Sequence, residues 1–314
     1  MANAQIHGAV TDATGAAIPA AQIKATQIET GQLRTAVSAA DGSYSLLNLA
    51  VGPYRLEVGS PSFSNYVQTG IILQVGANVT INVGLQVGAV TQEVQVSSNA
   101  AMVETQDTSL SEVIDQRRIV DLPLNGRQAT DLILLAGGAV VAPSAAGRFI
   151  TTHDYPTAVG VSVAGGQANS NNYLLDGADH RDTHSNVNLP YPFPDALQEF
   201  SVQTGGLSAR SGLQAGALVN VVTKSGTNRF HGSLFEFVRN GNFNARNAFA
   251  QTQDSLRRNQ FGGTGGGPIR KDKIFVFAGY QGTRERTAPP TSISFVPTAA
   301  TVRGDFSALA SAAC

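Results

Sequence analysis

A mainly β fold is predicted by three features of the 314-residue chain. Short runs of alternating apolar and polar residues recur, separated by turn signals about every 8–12 residues. Charged residues make up 14% of the chain, Gly is abundant at 33 residues and Trp is absent. That charge content lies well below the roughly 25% of ordinary soluble domains, and Asn, Gln, Ser and Thr carry the polarity instead. The mixture suits a secreted or envelope protein rich in turns. No run reaches the about 18 apolar residues of a membrane-crossing helix. Length alone suggests about two domains.

Several function classes are disfavoured at once. A formal net charge of −1 argues against a nucleic-acid partner, because nothing would neutralise phosphates in bulk. The basic residues Arg257, Arg258, Arg270, Lys271 and Lys273 read as solvated hairpin ends. The single cysteine, Cys314, can build neither a disulfide framework nor a thiolate metal site within the chain. None of the histidines (His7, His153, His180, His184, His231) has a Glu three residues on, so the paired ligands of a zinc peptidase are missing. Val221 to Gly226 contains Lys224-Ser225, but its spacing is wrong for a phosphate-binding loop. No enzyme and no cofactor are expected.

The leading segment reads as a β-sandwich. Ile6 to Thr11 is a strand closed by Asp12-Ala13-Thr14-Gly15. Ala21 to Ile28 and Gln32 to Val37 follow, the second closed by Ala40-Asp41-Gly42. Tyr44, Leu46 and Leu49 share one face, Gly52-Pro53 turns the chain, and Tyr54, Leu56 and Val58 alternate. Ile71 to Val75 and Val79 to Leu85 complete about seven strands, enough for two packed sheets. Tyr44 and Tyr54 are expected to bury their rings and keep their hydroxyls in water.

Composition changes after residue 100. Ser109 to Val120 reads as a short amphipathic helix with Leu110, Val113, Ile114 and Ile119 apolar, broken by Pro123. Asn125-Gly126 supplies a turn, and Gln128 to Leu135 reads as a second short helix closed by Gly137-Gly138. Val159 to Ala164 reads as a strand. Asn172 to Leu175 is another, with Asp176-Gly177 as a hairpin signal. Asp179, His180, Asp182 and His184 then place two carboxylates and two imidazoles within six residues. That set suits a divalent cation or, more simply, an exposed ligand-contacting loop. Pro190 to Pro194 is a proline-aromatic loop, and Asp195 to Val202 gives a short turn and a strand.

Val219, Val221 and Val222 end one strand, and Lys224 to Asn228 turns, with Gly226 free to take positive φ and Asn228 tolerating it. Phe230 to Arg239, Gln260 to Ile269 and Ile274 to Gln281 then read as three longer strands. Phe275 and Phe277 fall on one face of the third, Val276 and Tyr280 on the other. Asn240 to Asn247 is a loop and Arg270 to Lys273 a charged hairpin end.

The stretch from Val219 to Val238, with the runs Leu122-Pro123-Leu124-Asn125-Gly126-Arg127, Asn172 to Gly177 and Gly266 to Gly282, resembles the TonB-dependent outer-membrane receptors. The likeness is strongest to the Oar-like branch, which carries an N-terminal carboxypeptidase-regulatory-like domain, and it extends over almost the whole chain. Asp41 to Val58 is similar to that domain, a transthyretin-like or carbohydrate-binding-like fold. The resemblance implies an Ig/transthyretin-like β-sandwich over residues 1–97. An α+β plug would follow over 98–226, and residues 227–314 would be the first strands of an incomplete transmembrane β-barrel. A plugged transporter barrel takes about 22 strands, and an open sheet edge finds no partner in lipid. Further strands are therefore expected beyond this sequence, as is a secretory signal upstream of Met1 to Ile6.

The resemblance also implies a function: active uptake across the outer membrane, the plug gating the barrel and the leading domain periplasmic. Partners would be TonB, outer-membrane lipid, the remaining barrel and an extracellular substrate. Thr91, Glu93, Val94 and Val96 are the candidate TonB contacts, because an extended segment can add to the edge of a partner sheet. The same valines, with Val90, read equally as a last sandwich strand. Arg210 is a candidate for pairing plug to barrel wall. The alternative function is a surface carbohydrate-binding or adhesin-like module without transport.

Overall fold

The computed structural model describes residues 4–88, 93–97, 110–142, 160–207, 216–246, 248, 253–287, 296–307 and 310. Its contacts divide the chain into two compact units, Met1–Phe235 with Gly262–Gln281, and Glu236–Phe261 with Gly282–Cys314.

The first unit opens with β1 (Ala4–Asp12), β2 (Gln22–Gln27), β3 (Leu33–Val37), β4 (Ser43–Leu49), β5 (Gly52–Gly59), β6 (Asn65–Leu73), β7 (Asn78–Thr80), β8 (Val83–Leu85) and β9 (Glu93–Ser97). One sheet runs β4–β1–β7, with β8 also on β1, and the other runs β3–β2–β5–β6–β9. The alternation read in the sequence is the burial pattern: Tyr44, Leu46, Leu49, Tyr54, Leu56 and Val58 all enter one core with Ile6, Ile23, Ile71 and Leu85. The tyrosine expectation is half right. Both rings are buried, but so are both hydroxyls: Tyr54 is 1% exposed, and the Tyr44 hydroxyl donates to the Ile81 carbonyl at 2.8 Å. Burial without water demands such a partner, and it pushes the Tyr44 phenol well above its ordinary range. Close packing at this point fixes Gly8 as well, since a Cβ there would lie 1.9 Å from the Ile81 oxygen.

Next come β10 (Leu110–Asp115), α1 (Gln116–Asp121), two 3-10 helices (Asn125–Arg127 and Ala129–Leu135), β11 (Ala139–Val141), β12 (Val161–Val163), β13 (Asn172–Leu175) and β14 (Ala178–Asp179). A third 3-10 turn, Pro194–Ala196, leads into β15 (Leu197–Gly205), and β16 (Leu218–Thr223) follows. A mixed sheet runs β10–β15–β16–β13–β14, while β11 and β12 pair separately. Ile114, Leu132, Ile133, Tyr173, Phe200, Val219 and Val221 form its core.

The helix expected over Ser109 to Val120 is corrected here. Leu110–Asp115 is a strand, antiparallel to β15 with Ile114 opposite Phe200. Asp115 then caps α1 by accepting the Arg118 N–H at 3.0 Å. Pairing with a distant strand overrode the local helical spacing, and the cap set where the helix could begin. The hairpin signal at Asp176-Gly177 is realised with both residues at positive φ, 51° and 82°, the geometry that matches strand twist.

The last strands are β17 (His231–Asn240), β18 (Arg257–Arg270) and β19 (Ile274–Arg286), paired in the order β17–β18–β19. Gly226, before β17, is not among the glycines at positive φ. Its small size serves close approach instead: a Cβ would meet the Val276 and Gly267 oxygens at 2.4 and 2.8 Å. In the second unit, Gly241 donates to the Leu256 carbonyl, Arg258 Nε pairs with Glu285 at 2.6 Å, and Arg284 lies 5.8 Å from the Phe261 ring centre. A short helix, α2 (Ala299–Val302), is capped by Thr298.

Candidate functional site

Arg127, in the turn before the second 3-10 helix, lies against β17. The turn Leu124 to Arg127 puts Gly126 at φ 67° and Arg127 itself at φ 57°. A left-handed arginine costs backbone energy that its surroundings must supply. The guanidinium is held by Asp195, with the two side chains only 8% and 6% exposed. Asp195 is set by the turn Phe193 to Ala196, where Pro194 suits the first helical position.

β17 closes the pair from one side. Its alternation sends Ser233 and Phe235 inward and leaves Leu234 92% exposed. Ser233 Oγ donates to Asp195 Oδ1 at 3.2 Å and meets Thr264 Oγ1 of β18 at 2.9 Å. The Phe235 ring centre lies 4.5 Å from the Arg127 guanidinium carbon, a cation–π contact, and 5.7 Å from the Phe193 ring. Burial works against the charge on Arg127, and Asp195 offsets part of that cost. Lys224, half-buried where β16 ends, has its pKa lowered by burial against the same opposing pull from Asp195. The result is a desolvated charge pair covered by Ser233 and Phe235 of β17.

None of these contacts could be found by spacing, because Arg127, Asp195 and Phe235 are far apart in the chain. The one signal was the turn at Asn125-Gly126. Arg210, the expected plug-to-barrel arginine, lies outside the described residues, and among the described residues it is Arg127 that meets β17.

Three of the four loop candidates make contacts of their own, and His184 is exposed. Asp179 makes two bonds to Arg181, both 2.7 Å, which hold its carboxyl below the usual range. Asp182 accepts the Ser185 N–H and hydroxyl, which lower its pKa likewise. His180 Nε2 faces the Pro190 carbonyl at 3.1 Å, with its ring 4.9 Å from that of Tyr191. Among the described residues no group of three His, Cys, Asp or Glu could hold a metal ion. The short spacing suggested a shared site, but each carboxylate is used up on its own neighbours.

Of the TonB candidates, Thr91 lies outside the described residues. Glu93, Val94 and Val96 belong to β9, which runs parallel to β6 with Tyr66 opposite Val94 and Gln68 opposite Val96. Among the described residues the segment is the last strand of the sandwich sheet, with one backbone edge engaged by β6.

The chain thus combines a leading sandwich, a mixed five-stranded sheet and three long strands with exposed apolar residues. Residues 5–86 match the carboxypeptidase regulatory-like domain family, and residues 222–314 match the outer membrane beta barrel domain family. Over 257 residues the chain is 28% identical to the TonB-dependent transporter Oar of Myxococcus xanthus, covering 79% of this chain and 23% of that protein. It is thus a homologue of a TonB-dependent transporter, and it spans about a quarter of that relative's length. Among solved structures it aligns with the siderophore receptor PirA from Acinetobacter baumannii (19% identity, 55% of this chain and 24% of that chain, TM-score 0.40). It also aligns with a streptococcal ancillary pilin (16% identity, 27% and 33%, TM-score 0.23).

Proposed function

We propose that the chain is the N-terminal part of an outer-membrane active transporter driven by TonB. Residues 1–97 form its periplasmic accessory domain, 98–226 the plug and 227–314 the start of the barrel. The observation that carries this reading is the Arg127–Asp195 pair covered by Phe235. A plug needs attachment to its barrel wall, and β17, which provides the cover, lies within the stretch matching the outer membrane beta barrel domain. The outward apolar residues Leu234, Val276 and Tyr280 suit contact with lipid, as alternation in a membrane barrel requires.

TonB engages β9. A partner strand adds to the edge that β6 leaves open, so main-chain bonds supply the affinity and Glu93, Val94 and Val96 the modest side-chain preference. A pull-down of the full chain with the C-terminal domain of TonB tests this. Val94→Pro removes a ladder donor and is expected to abolish capture, and undiminished capture would refute the assignment.

A further inference from the structure

The leading sandwich touches the plug at a built contact that neither the family matches nor the proposed transport assigns. The turn between β6 and β7 closes with Ala77 N–H donating to the Gln74 carbonyl at 3.1 Å and Gly76 at φ 76°. This turn presents Val75. Its N–H donates to Glu199 Oε2 on plug strand β15 at 2.7 Å. Around the bond, Val75 packs with Val222 of β16 and Val51 of the sandwich in a small apolar cluster separate from both main cores. A separate tie joins the sandwich to the segment before β17, where the Asn228 N–H donates to the Glu29 carbonyl at 2.8 Å.

We propose that Glu199 is a latch that docks the leading sandwich on the plug sheet, making the two a single mechanical piece rather than a domain on a tether. Three observations support it. Glu199 is 7% exposed, and a carboxyl is rarely buried without a purpose when Ala or Val would pack there at no desolvation cost. Its bonded partner comes from 124 residues away, in the other domain. The raised pKa of the carboxyl, caused first by burial, records the same enclosure.

The latch stands on this geometry alone. Its mechanical consequence rests on TonB engaging β9, as proposed above. A pull on β9 then reaches β15 by two routes. One follows the chain through residues 98–109 to β10, which pairs with β15 and sets Asp115 opposite Glu199. The other passes through β6 and its Val75 turn to Glu199.

Hydrogen exchange of the Val75 amide in the full chain tests the latch without TonB. In Glu199→Ala, Val75 is expected to exchange at least about tenfold faster, with the β2 and β16 amides unchanged. Glu199→Gln, which keeps an acceptor, is expected to retain protection. Should Glu199→Ala also deprotect β16, Val51→Asp on the sandwich side decides in its place, with the same expected loss at Val75. Unchanged exchange of Val75 in the variant whose β2 and β16 stay protected would overturn the latch and leave the transport reading standing. Loss of TonB capture on Val94→Pro bears on the transport reading alone.

Discussion

Arg127 holds its guanidinium 4.5 Å from the centre of the Phe235 ring, so an arginine of the turn after α1 and an aromatic of the first long strand share one desolvated contact. Asp195 supplies the countercharge from the opposite side. Removing one member of such a pair leaves a buried charge uncompensated, whereas removing both does not. Arg127→Met is therefore expected to destabilise the chain by about 3–5 kcal/mol, read as a shift in the urea midpoint. The double variant Arg127→Met with Asp195→Leu should recover most of the loss.

Glu199 gives the fold a pH dependence of definite sign. Burial, opposed by the Val75 N–H and reinforced by the Asp115 carboxylate, raises its pKa from 4.5 to about 7. The folded chain thus holds this proton more tightly than the unfolded chain. The resulting stabilisation is fully present below the unfolded pKa and is lost as pH rises through the folded one. Unfolding midpoints of wild type relative to Glu199→Gln should fall between about pH 5 and 7 by an amount on the order of 3 kcal/mol and then level off.

Gly226→Ala tests close approach against conformational freedom. The added carbon would meet backbone oxygens of Val276 and Gly267, neither of which can swing aside. A loss of about 1–3 kcal/mol is expected, with faster hydrogen exchange over 274–281. A Gly226→Ala protein as stable as wild type would show that the turn has room.

Asn171 ties β12, β13 and the start of β16 together. Its side-chain NH2 donates to the Val161 carbonyl at 2.7 Å, and its oxygen accepts the Ala217 N–H at 2.9 Å, all fully buried. Asn171→Ala strands both backbone groups, a cost of about 1–3 kcal/mol for each. Thermal melting should show the loss. Asn171→Asp should not rescue it, because a carboxylate has no donor for Val161.

What the sequence made legible were features whose cause is local. Alternation along Tyr44 to Leu49 and Tyr54 to Val58 reports which face is buried, because a strand turns each successive side chain over. Asp176-Gly177 marked its turn because those residue types tolerate positive φ. What stayed hidden depends on distant partners. Val113 and Ile114 look helical until β15 is alongside them. Gly226 looks like a turn residue until Val276 is packed against it. Arg127 and Asp195 are 68 positions apart, and no periodicity connects them. Asp179, His180, Asp182 and His184 left two readings open, a cation set or an exposed loop, and among the described residues no metal-holding group forms.

The dryness of the Arg127–Asp195 contact sets how it lets go. Dissolved ions hardly reach a pair so enclosed, so ionic strength around the cell envelope leaves it unaffected. Shifting the Phe235 ring would instead let solvent in, and the attraction would drop severalfold as the local dielectric climbs. Such a fastening does not creep; it holds until it is wetted and then gives way at once.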